Sequence, residues 1–148
     1  MGMIDISEKK EVSRLARAKG ELELTDESMK AVLEGKVEKG DVFQVAEISA
    51  IQAVKKTPDS IPHCHPIPID GIEVSFETYE NIIEVECEVK AVYKTGVEME
   101  ALAGVNAALL TIWDMVKYLE KDKDGQYPKT KIKNISVLEK KKVDIDGS

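Results

Sequence analysis

Two hydrophobic periods alternate along this chain. Behind a short polar arm at Met1–Lys10, Leu22 and Leu24 alternate with Glu21 and Glu23, the pattern of a half-buried strand. The period then lengthens. Thr25 caps a short helix with Asp26 and Glu27 in its first turn, Met29, Val32 and Leu33 as its apolar face, and Gly35 near its end. Asp41 caps a second helix, in which Phe43, Val45, Ala46, Ile48, Ile51 and Val54 recur at helical spacing; Lys55 and Lys56 suit its carbonyl end and Pro58 prevents continuation. A period of two returns at Ile67, Ile69, Ile72, Val74 and Phe76. It appears again over Ile82–Val92, where Val85, Cys87 and Val89 alternate with Glu84, Glu86 and Glu88, and Tyr79-Glu80-Asn81 is the turn between the two strands. Thr95 and Glu98 have capping-box spacing and open a long helix to about Leu119, ~35 Å at 1.5 Å per residue. Its small residues, Ala101, Ala103, Gly104, Ala107 and Ala108, let another backbone approach closely, so it belongs deep in the domain or at a subunit contact. After the polar loop Lys121–Thr130, Ile132, Ile135, Val137 and Leu138 predict a final strand. A tail over 139–148 follows, basic at Lys140-Lys141-Lys142 and then polar.

Strand, helix, helix, two strands, long helix and strand predict an α+β fold: a ferredoxin-like antiparallel sheet with helices packed on one face. The 148 residues fit one domain spanning 1–148. The net charge of −7 sets the mean field against binding nucleic acid through general phosphate attraction, so an anionic ligand must meet a local basic pocket. Cys64 and Cys87 lie in differently patterned segments, and no charged-then-apolar leader opens the chain, which predicts a cytoplasmic protein with free thiols. No apolar run is expected to reach the ~20 residues that cross a bilayer.

Packing alone does not explain two segments. In Ile61-Pro62-His63-Cys64-His65-Pro66-Ile67-Pro68, imidazoles and a thiol stand among prolines that stiffen the backbone, so His65 is held with little entropy to lose on binding. His63-Cys64-His65 also has the look of metal ligands, but about four are needed for a structural zinc and Cys87 is placed on a strand face. A tight Pro turn with a polar rim is the plainer account. In the second segment, Glu98 and Glu100 sit in a first helical turn, where carboxylates suit the macrodipole; Glu98 already serves the cap, which leaves Glu100 as the better functional candidate. Asp114 and Lys117 form an i,i+3 pair, on most helices a surface ion pair contributing ~0.2–0.5 kcal/mol. Flanked by Trp113 and Tyr118 on a mostly apolar helix, the pair is also placed for partial burial to tune an acid and a base toward neutrality. Lys39 and Lys55 are solvated lysines, or phosphate contacts where they line a pocket.

These segments together resemble the MoaC family. The resemblance runs through Met3-Ile4-Asp5-Ile6-Ser7, Arg14 with Arg17-Ala18, Lys39-Gly40-Asp41-Val42-Phe43 and Ile51-Gln52-Ala53. It continues through Ile61-Pro62 with Cys64-His65-Pro66, Thr95-Gly96-Val97-Glu98-Met99-Glu100-Ala101-Leu102, and Trp113-Asp114-Met115 with Lys117, in the family's order. It implies a lyase of molybdenum-cofactor biosynthesis that converts 3′,8-cyclo-7,8-dihydroguanosine 5′-triphosphate to cyclic pyranopterin monophosphate and releases pyrophosphate. It also implies a homohexamer, a trimer of dimers with pockets at subunit contacts, and no resident cofactor; magnesium would ride on the substrate phosphates. By the same resemblance Asp114 and Lys117 are the catalytic acid–base pair. Substrate contacts fall on His63, Cys64, His65, Glu98, Met99, Glu100, Lys39 and Lys140, with no metal site. Two positions depart from the pattern: Lys140 is followed by Lys141-Lys142-Val143 where the family carries a Ser-Gly-Gly-Lys-type stretch, and His63 stands where the family often has an apolar residue. Two other readings compete, a non-catalytic module binding a small anionic metabolite and a metal-binding protein using His63, Cys64 and His65.

Overall fold

The computed structural model describes residues 1–145 and contains four strands and four helices in the order β1 (Val12–Glu23), α1 (Asp26–Leu33), α2 (Val42–Lys55), α3 (Thr57–Ser60), β2 (Gly71–Tyr79), β3 (Ile82–Tyr93), α4 (Glu98–Glu120) and β4 (Lys131–Val143). The sheet order is β2-β3-β1-β4 with every neighbouring pair antiparallel, as the ferredoxin-like expectation requires. The helices pack on one face. Val85, Cys87 and Val89 of β3 and Ala16, Ala18 and Leu22 of β1 point inward to meet Ala101, Val105, Ala108 and Ile112 of α4. The β2–β3 turn passes through Glu80 at φ 51°, a left-handed residue followed by Asn81.

Both predicted N-caps of the early helices form. Thr25 accepts from the Ser28 N–H, and Asp41 accepts from Phe43 and Gln44 N–H at 3.0 and 3.2 Å. The small residues of α4 do what their size permits: a Cβ built on Gly104 would lie 2.7 Å from Cys87 Sγ and 3.0 Å from a Val54 methyl. A larger side chain there would force α4 away from both β3 and α2, an overpacking cost of about 1–3 kcal/mol.

Several expectations need correcting. β1 starts at Val12, well before Leu22, because Arg14 and Gly20 occupy inward positions and interrupt the apolar alternation. Arg14 is buried nonetheless, its guanidinium donating to the Tyr93 and Lys94 carbonyls at 3.4 and 3.2 Å. β2 starts later than the pattern suggests. Ile67 and Ile69 pack on the core, but Pro66 and Pro68 have no N–H to give a ladder, so pairing waits until Gly71. Pro58 does not merely stop α2; it sits in the first turn of α3. Lys140-Lys141-Lys142 belong to β4 rather than to a tail, paired with Ala16, Leu15 and Arg14. Register shifts in the β1–β4 ladder and Asn134 at φ 56° break the period of two there. Residues 146–148 of the expected tail lie outside the described residues. On the early helices, Leu33, Val45 and Ile48 are exposed, and the buried face of α2 is Val42, Ala46, Ala50 and Val54.

The expectation about apolar runs also changes. α4 is long and apolar enough to cross a membrane by length and composition, but half of its most apolar window is buried inside the domain. Packing between α2 and the sheet accounts for that apolarity.

Candidate functional site

The chemistry expected from the sequence collects at the two ends of α4. At the N-terminal end, a cleft of about 150 Å³ has His63, Cys64, His65 and Ile67 on one wall and Thr95, Gly96, Glu98, Met99 and Glu100 on the other. A turn closed by Cys64 N–H to the Ile61 carbonyl at 3.0 Å carries the first wall out of α3. The second wall is the start of α4, and it is not the capping box expected. Val97 is the N-cap and makes no side-chain cap bond; Glu98 is the first helical residue, two positions short of the N3 place a capping-box glutamate occupies.

Freed from capping, Glu98 turns to the cleft. Its Oε2 lies 3.4 Å from Lys140 Nζ, which β4 brings in from the far end of the chain. Its buried Oε1 is tucked against Gly96 and finds no donor among the described residues. Glu100 is 3% exposed, and burial raises its carboxyl above the ordinary range; its own backbone N–H opposes the shift and the Glu98 charge adds to it. Burial, with Glu100 alongside, likewise pushes the Cys64 thiol up. His65 is already engaged. Its Nε2–H donates to the Ile4 carbonyl at 2.8 Å, which draws the N-terminal arm against this end of the site. That contact was not foreseen, although Ile4 lies in a motif segment already noted.

The C-terminal end is differently built. Asp114 Oδ1 is 2.9 Å from Lys117 Nζ and Oδ2 is 3.1 Å from Lys39 Nζ, while Lys39 also donates to the Asp114 carbonyl at 3.0 Å. Partial burial does not tune this pair toward neutrality, as had been expected, because Asp114 is 58% exposed and Lys117 42%. The hydrogen bonds from Lys117 and then Lys39 instead lower the Asp114 carboxyl, and Asp114 raises the Lys117 ammonium. Both move away from neutral pH. The resting pair is therefore a firmly ionised carboxylate bridged by ammonium groups.

The structure thus brings His63, Cys64, His65, Glu98, Met99, Glu100 and Lys140 to one end and Lys39, Asp114 and Lys117 to the other. The two sets do not meet within one chain, since Glu100 and Asp114 are about 21 Å apart along the helix axis. Lys55 joins neither set. Among the described residues no group of three or more His, Cys, Asp or Glu side chains converges as metal ligands would.

A family model described as "MoaC family" matches residues 3–143. The chain belongs to the MoaC family. Among MoaC relatives, a protein of Pyrococcus furiosus named "Probable cyclic pyranopterin monophosphate synthase" is 58% identical over 138 residues, 93% of this chain and 88% of its own length. A Methanosarcina mazei protein of the same name is 59% identical over 140 residues, covering 95% and 89%. One from Methanopyrus kandleri, also so named, is 50% identical over 143 residues, covering 95% and 92%. The matched span contains both ends of α4 and Lys140.

Proposed function

We propose that this MoaC-family chain is a cyclic pyranopterin monophosphate synthase of molybdenum-cofactor biosynthesis. It would convert 3′,8-cyclo-7,8-dihydroguanosine 5′-triphosphate to cyclic pyranopterin monophosphate and pyrophosphate in the cytoplasm. The observation that carries this reading is family membership over nearly the whole chain; the segments that resemble the family's motifs lie at the two ends of α4, which supports it.

The catalytic unit on this reading is a homohexamer, a trimer of dimers. Two observations favour sites shared between copies. The cleft of about 150 Å³ is small beside the ~300–1,000 Å³ of ordinary ligand pockets, and the acid–base cluster lies about 21 Å from it along α4. A second copy bringing its Asp114 end to this chain's Glu98 end would join the two. Val45, Ile48 and Leu110, exposed apolar residues on α2 and α4, suit burial in such contacts.

In the joined site, Lys39, Lys117 and Lys140 supply positive charge to the triphosphate, which an acidic chain must concentrate locally. Asp114 begins as a carboxylate and Lys117 as an ammonium, so they enter the reaction as base and acid respectively. A ribose hydroxyl attacks the α-phosphorus, the cyclic phosphate closes and pyrophosphate leaves; stabilising charge on that leaving group is the main electrostatic task. His65, Cys64, Glu98, Met99 and Glu100 contact the purine-derived part. His63 lines the mouth. No resident cofactor takes part, and a divalent ion would enter on the phosphates.

The decisive experiment is turnover of the purified chain on that substrate, with pyrophosphate and pterin product both followed. Saturable binding without pyrophosphate release would favour a non-catalytic module instead.

A further inference from the structure

We propose that Tyr118 is a positioning residue that holds Lys39 on Asp114; the inference rests on the reading of Lys39 and Asp114 given above. The Tyr118 hydroxyl accepts the Glu38 backbone N–H at 2.9 Å, one residue before Lys39. Asp114, Lys117 and Tyr118 stand at i, i+3 and i+4 of α4 and so share a face. Tyr118 therefore grips the loop backbone one turn below the carboxylate that the Lys39 ammonium reaches.

The loop needs such a grip. Its other backbone N–H bonds end on α1 or within the loop itself: Glu34 to Lys30, Gly35 to Val32, Lys36 to Ala31 and Gly40 to Val37. Buried Val37 anchors it by packing, and Gly40 turns the chain at φ +114° into the Asp41 cap of α2. Those ties fix the loop to α1, whereas the Tyr118 hydroxyl fixes it to the helix that carries Asp114. A lysine has a flexible four-carbon stem, and holding its ammonium on two acceptors is far less restrictive when its backbone is already in register. The two oxygens that receive Lys39 both belong to Asp114, so a small slide of the loop along α4 would lose both at once.

The alternative is that Tyr118 merely adds a surface hydrogen bond, whose loss would act without regard to Lys39. Tyr118→Phe keeps the ring and deletes only the acceptor, which separates the two. In the full-length protein, Tyr118→Phe is expected to raise KM about fivefold, the factor one ordinary hydrogen bond is worth, with kcat near the parent value. The same substitution in a Lys39→Ala background should add nothing, because the residue it acts through is gone. Independently of activity, the Asp114 carboxyl, followed by carbon NMR with labelled aspartate, should titrate at higher pH in Tyr118→Phe, moving toward its position in Lys39→Ala. Unchanged Asp114 titration in Tyr118→Phe overturns the proposal, as does an undiminished fivefold loss in the Lys39→Ala background. If Lys39→Ala itself retains parent kinetics, the substrate role of that cluster fails. The Asp114 titration still decides whether Tyr118 holds Lys39.

Discussion

Glu100 and Asp114 are carboxylates on one helix, and their surroundings drive them in opposite directions. Glu100 is buried near the α4 N-terminus with Glu98 as a charged neighbour, and its carboxyl is pushed up. Asp114 stands in solvent with Lys117 and Lys39 on its two oxygens, and its carboxyl is held down. Desolvation governs one and ion pairing the other, so two carboxylates on a single helix meet opposite electrostatics, one buried beside a cleft and the other in a solvated cluster of charges.

Breaking the charged end should have the largest effect. Asp114→Asn and Lys117→Ala are each expected to lower turnover at least about a hundredfold, the usual scale for a lost general acid or base, with melting unchanged. Because Asp114 is exposed and Lys117 partly so, little folding energy rides on their ion pair. Native melting together with near-parent turnover in either variant would remove that end of α4 from the chemistry.

The buried carboxyl can be probed through linkage. A carboxyl whose pKa is raised on folding favours the native state at pH below the unfolded value, and works against it as pH rises through the folded value. Glu100→Gln should therefore melt higher than the parent at neutral pH, with the advantage fading as pH falls to the ordinary glutamate range, while turnover drops about tenfold or more. Equal melting at all pH values would contradict the burial argument. A stabilised variant with full activity would contradict the role.

His65 sharpens the same end. His65→Ala should impair turnover by about tenfold, as for a lost oriented contact, whereas removal of transition metals should leave the parent unaffected. Stoichiometric zinc found by elemental analysis, with activity lost on its removal and restored on its return, would instead support the metal-binding reading.

The smallest expected effects separate the lysines. Substrate binding by the parent should weaken with added salt, and Lys39→Ala and Lys140→Ala should each weaken it at low salt and flatten that slope. Parallel slopes for the parent and Lys39→Ala would argue against a direct phosphate contact.

The early helices were legible from their caps, as at Asp41, the β2–β3 hairpin from its alternation along Val85, Cys87 and Val89, and α4 from its long apolar period although its cap was not. β1 and the end of β4 were not. A buried Arg14 satisfied by two carbonyls looks polar in sequence, and bulges around Arg17 and Lys19 shift the alternation that would have drawn Lys140 into the sheet. The candidate site residues came from motif resemblance, but their separation along α4 follows only from the helix carrying them. The capping-box spacing at Thr95 and Glu98 misled because it marks three residues, not where the helix begins.

The Gly104 contact has a practical consequence for labelling. Cys87 lies under that glycine with no exposure, and its thiol is pushed up to about 12. In the folded chain it is sealed from alkylating reagents, so modification of the native protein should stop at one thiol, Cys64, and reach two only after denaturation. A fluorophore placed by simple thiol chemistry would therefore land in the wall of the cleft without removing any native cysteine. Protection of Cys64 against that reagent gives an occupancy assay for the cleft that does not depend on turnover.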